Sequence, residues 1–411
     1  MKRLFACMAV VGWVVAGYAT DSRIAALGGH DAFFMDDYSI YRNPANVNIY
    51  PNLLIASSGL YVQTKAEKQD SLAALRKANR DPIRPYGGGI LSYSFNEGNE
   101  AGSQYPMFSL GMTMNRHDEM LDYVTWGEPE FDTAFAGSVG DIDMYPDPVG
   151  KFDLLLGYAF PGGGMIGLGS YVAFQQEGAD QEASLYRFNL GMNLPVARTT
   201  DLEGSVGIGL VSAAGLDTST GESVPLASFA DNGDFVAKFD LRLFSALTVI
   251  NGDFVPHVSV DLLNFKKYSL LSVAGGLGVN INIDRGFTWG GLEFLYETRE
   301  PEVGDASSGL GGRLSLGLER NLVWDWFLLR GGLNKELLFV TTGDTEDGRW
   351  EQNPEADGTE DDFANVGIGL NFENRLRVDW VLGMDFLHTG GNLISGPQHH
   401  LFSRMTFTYS F

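Results

Sequence analysis

The chain has 411 residues, long enough for two or three ordinary soluble domains or for one large barrel. Its 52 acidic and 28 basic residues give a formal charge of −24, which excludes the basic footprint that nucleic-acid binding requires. The only cysteine, Cys7, leaves no basis for a disulfide framework or a cysteine-ligated metal.

Residues 1–19 predict an export signal. Lys2 and Arg3 precede the apolar run FACMAVVGWVVAGYA, and Gly17 and Ala19 occupy the −3 and −1 positions of a cleavage site. A membrane anchor is the competing reading, but the run is short and its flanks are wrong for a spanning helix. A lipoprotein box at Cys7 is disfavoured because the apolar run follows the cysteine. Cleavage after Ala19 removes Lys2 and Arg3, leaving 26 basic residues and a charge of −26. Beyond residue 20 no apolar stretch approaches the roughly 18 residues of a spanning helix.

Residues 20–51 do not alternate. Gly28-Gly29, Asp36-Asp37 and Asn43-Pro44 are turn and cap chemistry, and SRIAAL is suited to one or two helical turns. From residue 52 onward a period of two takes over. In RFNLGMNL, Phe188, Leu190, Met192 and Leu194 alternate with Arg187, Asn189, Gly191 and Asn193. In RLRVDWVLGMDFLH, Leu376, Val378, Trp380 and Leu382 alternate with Arg375, Arg377 and Asp379. This period means strands, because successive side chains point to opposite faces. Sixteen are predicted, over 52–63, 86–95, 105–115, 151–160, 165–175, 184–194, 201–212, 234–247, 254–263, 270–283, 287–298, 310–320, 325–333, 363–372, 375–388 and 401–411.

Short turns alternate with longer, more acidic connections, the pattern of an outer-membrane barrel. The soluble alternative is a β-sandwich, whose polar face meets water and whose apolar face fills a core. Here Trp, Phe, Leu and Met lie opposite glycines and charges on consecutive strands, which suits lipid outside and a polar lumen inside. Arg187, Lys238, Asp240, Arg242, Arg375, Arg377, Asp379 and Arg404 are the predicted lumen charges, either as structural ladders or along a path for polar solutes. Tyr93, Phe95, Tyr158, Phe160, Tyr296, Trp324, Trp326 and Phe372 suit interfacial girdles. The fold class is therefore all-β, a transmembrane antiparallel barrel over 52–411.

The chain closes on SRMTFTYSF, with Phe407, Tyr409 and Phe411 on one face. This ending resembles the C-terminal signature of bacterial outer-membrane proteins, which implies recognition by the barrel-assembly machinery. A second resemblance lies at the other end. Gly28-Gly29, Asp36-Asp37 and Asn43-Pro44-Ala45 look like the start of mature FadL-type and PorV-type barrels. The stretches FLLRGGLN, NVGIGLNF, LRVDWVL and HHLFSRMTFTYSF are similar to the family's last four strands, in the same order. Asn46 and Tyr38 depart from the family pattern, and sixteen strands exceed its usual fourteen.

The resemblance implies that residues 20–51 fold inward as a hatch. It also implies a hydrophobic compound as cargo, moved through the hatch or sideways into the membrane, or alternatively a component of a protein secretion apparatus. A general porin stands third. Implied partners are outer-membrane lipid, the assembly machinery, and a hydrophobic small molecule or secreted proteins. Lys65, Lys68, Arg76, Lys77 and Arg80 could face lipopolysaccharide phosphates, although a solvated helix explains them as well.

No cofactor, metal or enzymatic activity is expected. Asp385 and His388 lie three apart, so in a strand they point to opposite faces. The acidic loop 342–362 lacks the regular ligand spacing of a calcium site.

Overall fold

The computed structural model describes residues 21–29, 31–59, 85–95, 106–121, 150–177, 181–216, 223–266, 268–301, 306–322, 324–342, 363–373, 375–382 and 402–411. The expected export signal, the helix over 65–82, the acidic loop and the Asp385–His400 region lie outside these residues. The strands are β1 (Leu53–Gly59), β2 (Tyr86–Ser94), β3 (Met107–Met114), β4 (Gly150–Ala159), β5 (Met165–Glu177), β6 (Gln181–Ala197), β7 (Thr200–Leu216), β8 (Ser223–Ser228) and β9 (Phe235–Leu247). They continue with β10 (Gly252–Asn264), β11 (Tyr268–Ile283), β12 (Gly286–Pro301), β13 (Ser307–Asn321), β14 (Phe327–Thr342), β15 (Phe363–Phe372), β16 (Leu376–Leu382) and β17 (Phe402–Ser410).

Sixteen of these form one closed antiparallel ring. Each pairs with its neighbour in the chain, except that β7 uses Thr200–Leu210 to pair with β9. Its far end, Ser212–Leu216, carries β8 as a short extra strand. Closure comes from β1 against β17, in register from Leu53↔Ser410 to Gly59↔Arg404. The ring thus matches the count from alternation rather than fourteen. β8 falls where the sequence suggests a loop, because SVPLAS is short and carries Pro225, a residue suited to a strand edge.

One end of the ring carries tight turns. Asn251, Arg285 and Glu373 adopt left-handed φ there, at 49°, 60° and 53°, as short hairpins with matching twist demand. Aromatic side chains gather at this end. Tyr93 and Phe95 pack edge to face at 5.2 Å, Tyr158 and Phe160 at 5.0 Å, and Trp324 stacks on Trp326 at 5.3 Å.

Between the ends, the outward face exposes Leu168, Phe188, Leu190, Leu277, Leu292, Phe294 and Leu316, among many others. Such a continuous apolar band is unstable against water and belongs against hydrocarbon. No described helix is long and apolar enough to cross a membrane. The ring itself is the structure that can, since it leaves no strand edge unpaired.

Four of the remaining elements lie within the ring, and the fifth is exposed beside β8. They are α1 (Asp21–Ala26), α2 (Ser39–Arg42), the 3-10 turn η1 (Pro44–Asn48) and a second 3-10 turn, η2 (Glu119–Leu121). A last short helix, α3 (Phe229–Asn232), follows β8. Residues 21–50 touch wall positions on opposite sides of the ring. Ala26 meets Gly367 on β15, Phe33 meets Gly278 and Gly291 on β11 and β12, and Val47 meets Gly157 on β4. A segment contacting β4, β12 and β15 together can only be inside. Met120 and Leu121 fold inward near the loop end, onto Tyr171, Leu185, Val211, Val236 and Leu263.

The outward band makes a direct prediction. Leu292→Arg places a charge on the apolar face of β12 and is expected to cost about 2–4 kcal/mol of folding stability into a bilayer. Urea titration of the barrel in lipid vesicles measures it.

Candidate functional site

The segment 21–50 is held by chemistry written locally in its sequence. After α1 the chain reverses at Gly28 and Gly29, whose φ values of 107° and 75° suit glycine alone. Asp36 closes the next turn, accepting the Tyr38 amide at 3.1 Å. Asn43 caps η1 by accepting the Ala45 amide at 3.1 Å, and Pro44 opens the turn where no amide is needed. The Asn43 Nδ2 also donates to the Met192 carbonyl at 2.9 Å, which ties the cap to the wall.

Glycines on the wall make the seat. A Cβ on Gly332 would collide with the Leu27 carbonyl carbon, and one on Gly167 with the Pro44–Ala45 peptide. Ala26, Leu27, Ala45, Asn46 and Val47 are completely buried in consequence. Not every luminal glycine serves this purpose. Gly207, Gly209 and Gly276 make room for the wall's own Asn189, Val236 and Glu293.

Three charged clamps fasten the lumen. In the first, Glu319 accepts from Arg23 Nε at 2.7 Å, from Arg377 Nη2 at 3.0 Å and from Arg330 Nε. Arg23 also pairs with Asp36 at 2.8 Å, and Asp379 pairs with Arg330 at 2.7 Å and Arg377 at 3.2 Å. In the second, Arg242 pairs with Glu203 at 2.7 Å and donates to the carbonyls of Asp31 at 2.8 Å and Phe34 at 3.0 Å. Asn46 donates to Glu203 at 2.7 Å and to Ser39 at 3.0 Å, which ties η1 to the wall and to α2. In the third, Arg116 forks onto Asp153 at 2.8 and 2.9 Å, while Asp118 takes Arg116 at 3.0 Å and Arg187 at 2.8 Å. This last clamp binds the connection after β3, not the N-terminal segment, to the wall.

Buried ion pairs of this kind are geometrically specific more than they are stabilising, and breaking one partner strands the others. Burial, and Asp36 beside it, push the Asp37 carboxyl well above its usual range. Burial would raise Asp118 too, but Arg187 and Arg116 outweigh it and hold that carboxyl below its usual range.

A second feature is apolar. Phe33 and Phe34 pack against Trp289 at 6.1 and 5.2 Å, and the same cluster holds Ile24, Leu27, Phe244 and Val255. The wall is interrupted at this point. The β9–β10 ladder pairs Phe254 with Ser245 and His257 with Arg242, but Val255 and Pro256 have no partners in β9. Pro256 has no N–H to offer, whereas on its other side it stays in register with Leu277 of β11.

A third feature is a cavity of about 360 Å³ between the N-terminal segment and the Arg116–Met120 connection. Its lining is mostly polar and charged, including Arg42, Arg116, Asp118, Lys238, Asp240 and Glu293.

The positions singled out by sequence distribute as follows. Gly28, Gly29, Asp36, Asp37, Asn43, Pro44 and Ala45 all lie in the luminal segment. Arg187, Lys238, Asp240, Arg242, Arg377 and Asp379 face the lumen, and Arg404 shares the inward parity of buried Thr406 and Thr408. Arg375 sits in the turn before β16, its amide bonded to the Phe372 carbonyl at 2.9 Å, because β16 starts one residue later than the alternation suggests. Phe407 is exposed on the outer face of β17.

Sequence reasoning missed Arg23, Glu203, Glu319 and Arg330, which carry the clamps. The inward parity of Glu203, Glu319 and Arg330 is readable from the alternation, but which charges meet is not. Among the described residues no cluster of His, Cys, Asp and Glu could hold a metal ion.

No protein-family model and no curated protein matches the chain. Solved structures that it is similar to include the TodX deltaS2S3 mutant monoaromatic hydrocarbon channel, at 12% identity over 96% of this chain and 99% of that one, with a TM-score of 0.42. The Ralstonia pickettii toluene transporter TbuX follows at 10% identity, the same coverages and a TM-score of 0.30. BamA from Haemophilus ducreyi lacking POTRA domains 1–3 gives 8% identity over 87% and 70%, with a TM-score of 0.40. At these TM-scores the likenesses carry no argument, and the barrel stands on its own strand pairing.

Two tests follow from the clamps. Glu319→Gln leaves three arginines around one neutral group and is expected to destabilise the fold by about 3–5 kcal/mol, read by denaturant titration. The third clamp has a pH signature. A carboxyl depressed by folding contributes stability above its unfolded value near 3.9, and that stability is lost only as pH falls through the lower folded value. For the Asp118 contacts, protection factors against hydrogen exchange at residues 118–121 are therefore expected to stay high from pH 7 to about 4 and to fall below that.

Proposed function

We propose that the chain is a bacterial outer-membrane transport barrel whose N-terminal segment serves as a hatch, and that its cargo is a hydrophobic compound. The observation that carries this reading is the coincidence of two features at one place. The single interruption found in the β9–β10 ladder, at Pro256, backs onto the apolar cluster of Phe33, Phe34, Phe244, Val255 and Trp289. A hydrophobic solute that displaces Phe33 and Phe34 meets apolar side chains on both sides and a stretch of wall already short of one hydrogen bond. Parting strands in hydrocarbon is otherwise prohibitive, since each exposed amide costs several kcal/mol. The missing donor lowers the cost of opening the wall sideways here.

The turn end then faces the periplasm and the loop end the exterior, as short turns and long loops are arranged in such barrels. The signal over residues 1–19 and the Phe407–Tyr409–Phe411 ending suit delivery to that membrane. A secretion component is the alternative suggested by the resemblance of the last four strands. Periplasmic retention of exported proteins in a deletion strain would favour it. An open porin is disfavoured by the occupied lumen.

The reading is tested with labelled toluene and a labelled long-chain fatty acid on the purified full chain in neutral detergent. Saturable binding of either is expected, and absence of both overturns it. Pro256→Val restores the missing donor. It is expected to add about 1 kcal/mol of stability while slowing uptake into vesicles containing the barrel.

A further inference from the structure

The outer face carries charges at its turn end that neither the clamps nor a hydrophobic cargo use. Arg320 lies two residues beyond Leu318 and four beyond Leu316 on β13, so it falls on the same outward face, where the apolar band stops. Across the ladders it stands opposite Gly286 of β12, which has no side chain, and Leu329 of β14, which is exposed. Its side chain is 52% exposed, with Nη2 3.8 Å from Oδ2 of Asp284, itself 83% exposed in the turn between β11 and β12. A second pair lies alongside: Arg285 Nη1 is 3.7 Å from Oδ1 of Asp325, and both of these groups are exposed too. The Asn321 amide donates to the Arg285 carbonyl at 2.8 Å, which holds the two turns together.

Neither gap between guanidinium and carboxylate is the length of a hydrogen bond, and exposed pairs of this kind add little to stability. A ligand that parts them therefore gives up little and gains two charged contacts. Its depth is set by the neighbours. Trp324 and Trp326, stacked at 5.3 Å and both exposed, follow Leu322 at this end, and indoles in such a belt sit at the level of lipid headgroups. An anion at that level that also covers Leu316, Leu318 and Leu329 is a phosphate bearing acyl chains.

The carboxylates narrow the choice of head. Arg320 alone would take any phosphate through its fork, but Asp284 beside it repels a head that carries negative charge only. A head with a primary ammonium close to its phosphate satisfies both side chains, since the ammonium brings three donors to the carboxylate. A quaternary ammonium has the charge but no N–H. We propose that the turn end of β11–β14 binds one phospholipid with a phosphoethanolamine head, its phosphate on Arg320, its ammonium on Asp284 and its acyl chains along Leu316, Leu318 and Leu329. Arg285 and Asp325 offer the same pair of charges next to it. The site lies outside the wall, involves neither the N-terminal segment nor Pro256, and does not depend on the cargo.

The test is native mass spectrometry of the purified full chain in dodecyl maltoside micelles, with equal amounts of dioleoyl phosphatidylethanolamine, phosphatidylcholine and phosphatidylglycerol. The ethanolamine lipid is expected to be retained about fivefold over either of the others, roughly the worth of one charged contact near a membrane surface. Arg320→Gln together with Arg285→Gln is expected to lower its retention by about fivefold or more. Asp284→Asn together with Asp325→Asn is expected to bring it down to the level of phosphatidylglycerol. Arg198→Gln, in the turn between β6 and β7, removes an exposed charge elsewhere at the same end and is expected to change nothing. Heat-modifiable migration of the folded barrel checks that each variant is intact. Equal retention of the three lipids by the unaltered protein overturns the proposal, and so does an Arg198→Gln effect as large as that of the arginine pair. Toluene and fatty-acid binding is expected to be the same in all these variants, so failure of the cargo reading and failure of this one are seen separately.

Discussion

The backbone hydrogen bond in hydrocarbon is the constraint from which the rest of this structure follows. An amide facing lipid has no water to turn to, so every strand must have a partner on both sides. The pairing of β1 with β17 meets that demand by joining the chain's two ends. Once the ring is sealed, the alternating pleat sends one residue in two outward, and Leu168, Leu277 and Leu316 become lipid-facing without any further device. Even the departure from full pairing obeys the constraint. It occurs at a proline, where the missing donor is built into the residue and not left exposed.

Closure has a second consequence. A sixteen-stranded ring is too wide for its own side chains to fill, and what fills it here is chain from elsewhere in the sequence. The N-terminal segment enters from the turn end and the Arg116–Leu121 connection lies near the loop end. Between them water-excluding apolar clusters alternate with ionic clamps. The clamps use arginine almost throughout, and its planar fork lets Glu319 and Asp379 each serve more than one partner. Such clusters specify one seating of the segment strongly while adding little net stability.

The interior is accordingly of two kinds. The Phe33–Phe34–Trp289 cluster is apolar and adjoins the weak place in the wall. The chamber above it is ionic, lined by five carboxylates and five Lys or Arg side chains. His257 stands at the border, edge to face with Phe33 at 5.6 Å and 3.5 Å from Glu293.

The sequence alone determined the strands and their faces, because a period of two is local and each strand must satisfy it separately. Phe188 against Arg187, or Trp380 against Asp379, announces outside and inside without reference to any other strand. It also marked the N-terminal segment as different, through the absence of that period and the turn chemistry of Gly28-Gly29 and Asn43-Pro44. Only the tertiary structure decided which inward charges meet. Arg23 and Glu319 are 296 positions apart, and their contact depends on the ring bringing β13 round to the place where α1 lies. The same holds for Pro256, whose lost bond matters because Phe33 and Phe34 come to lie behind it. Local pattern fixes orientation, but pairing across a closed lumen depends on ring size and register, which no single stretch of sequence contains.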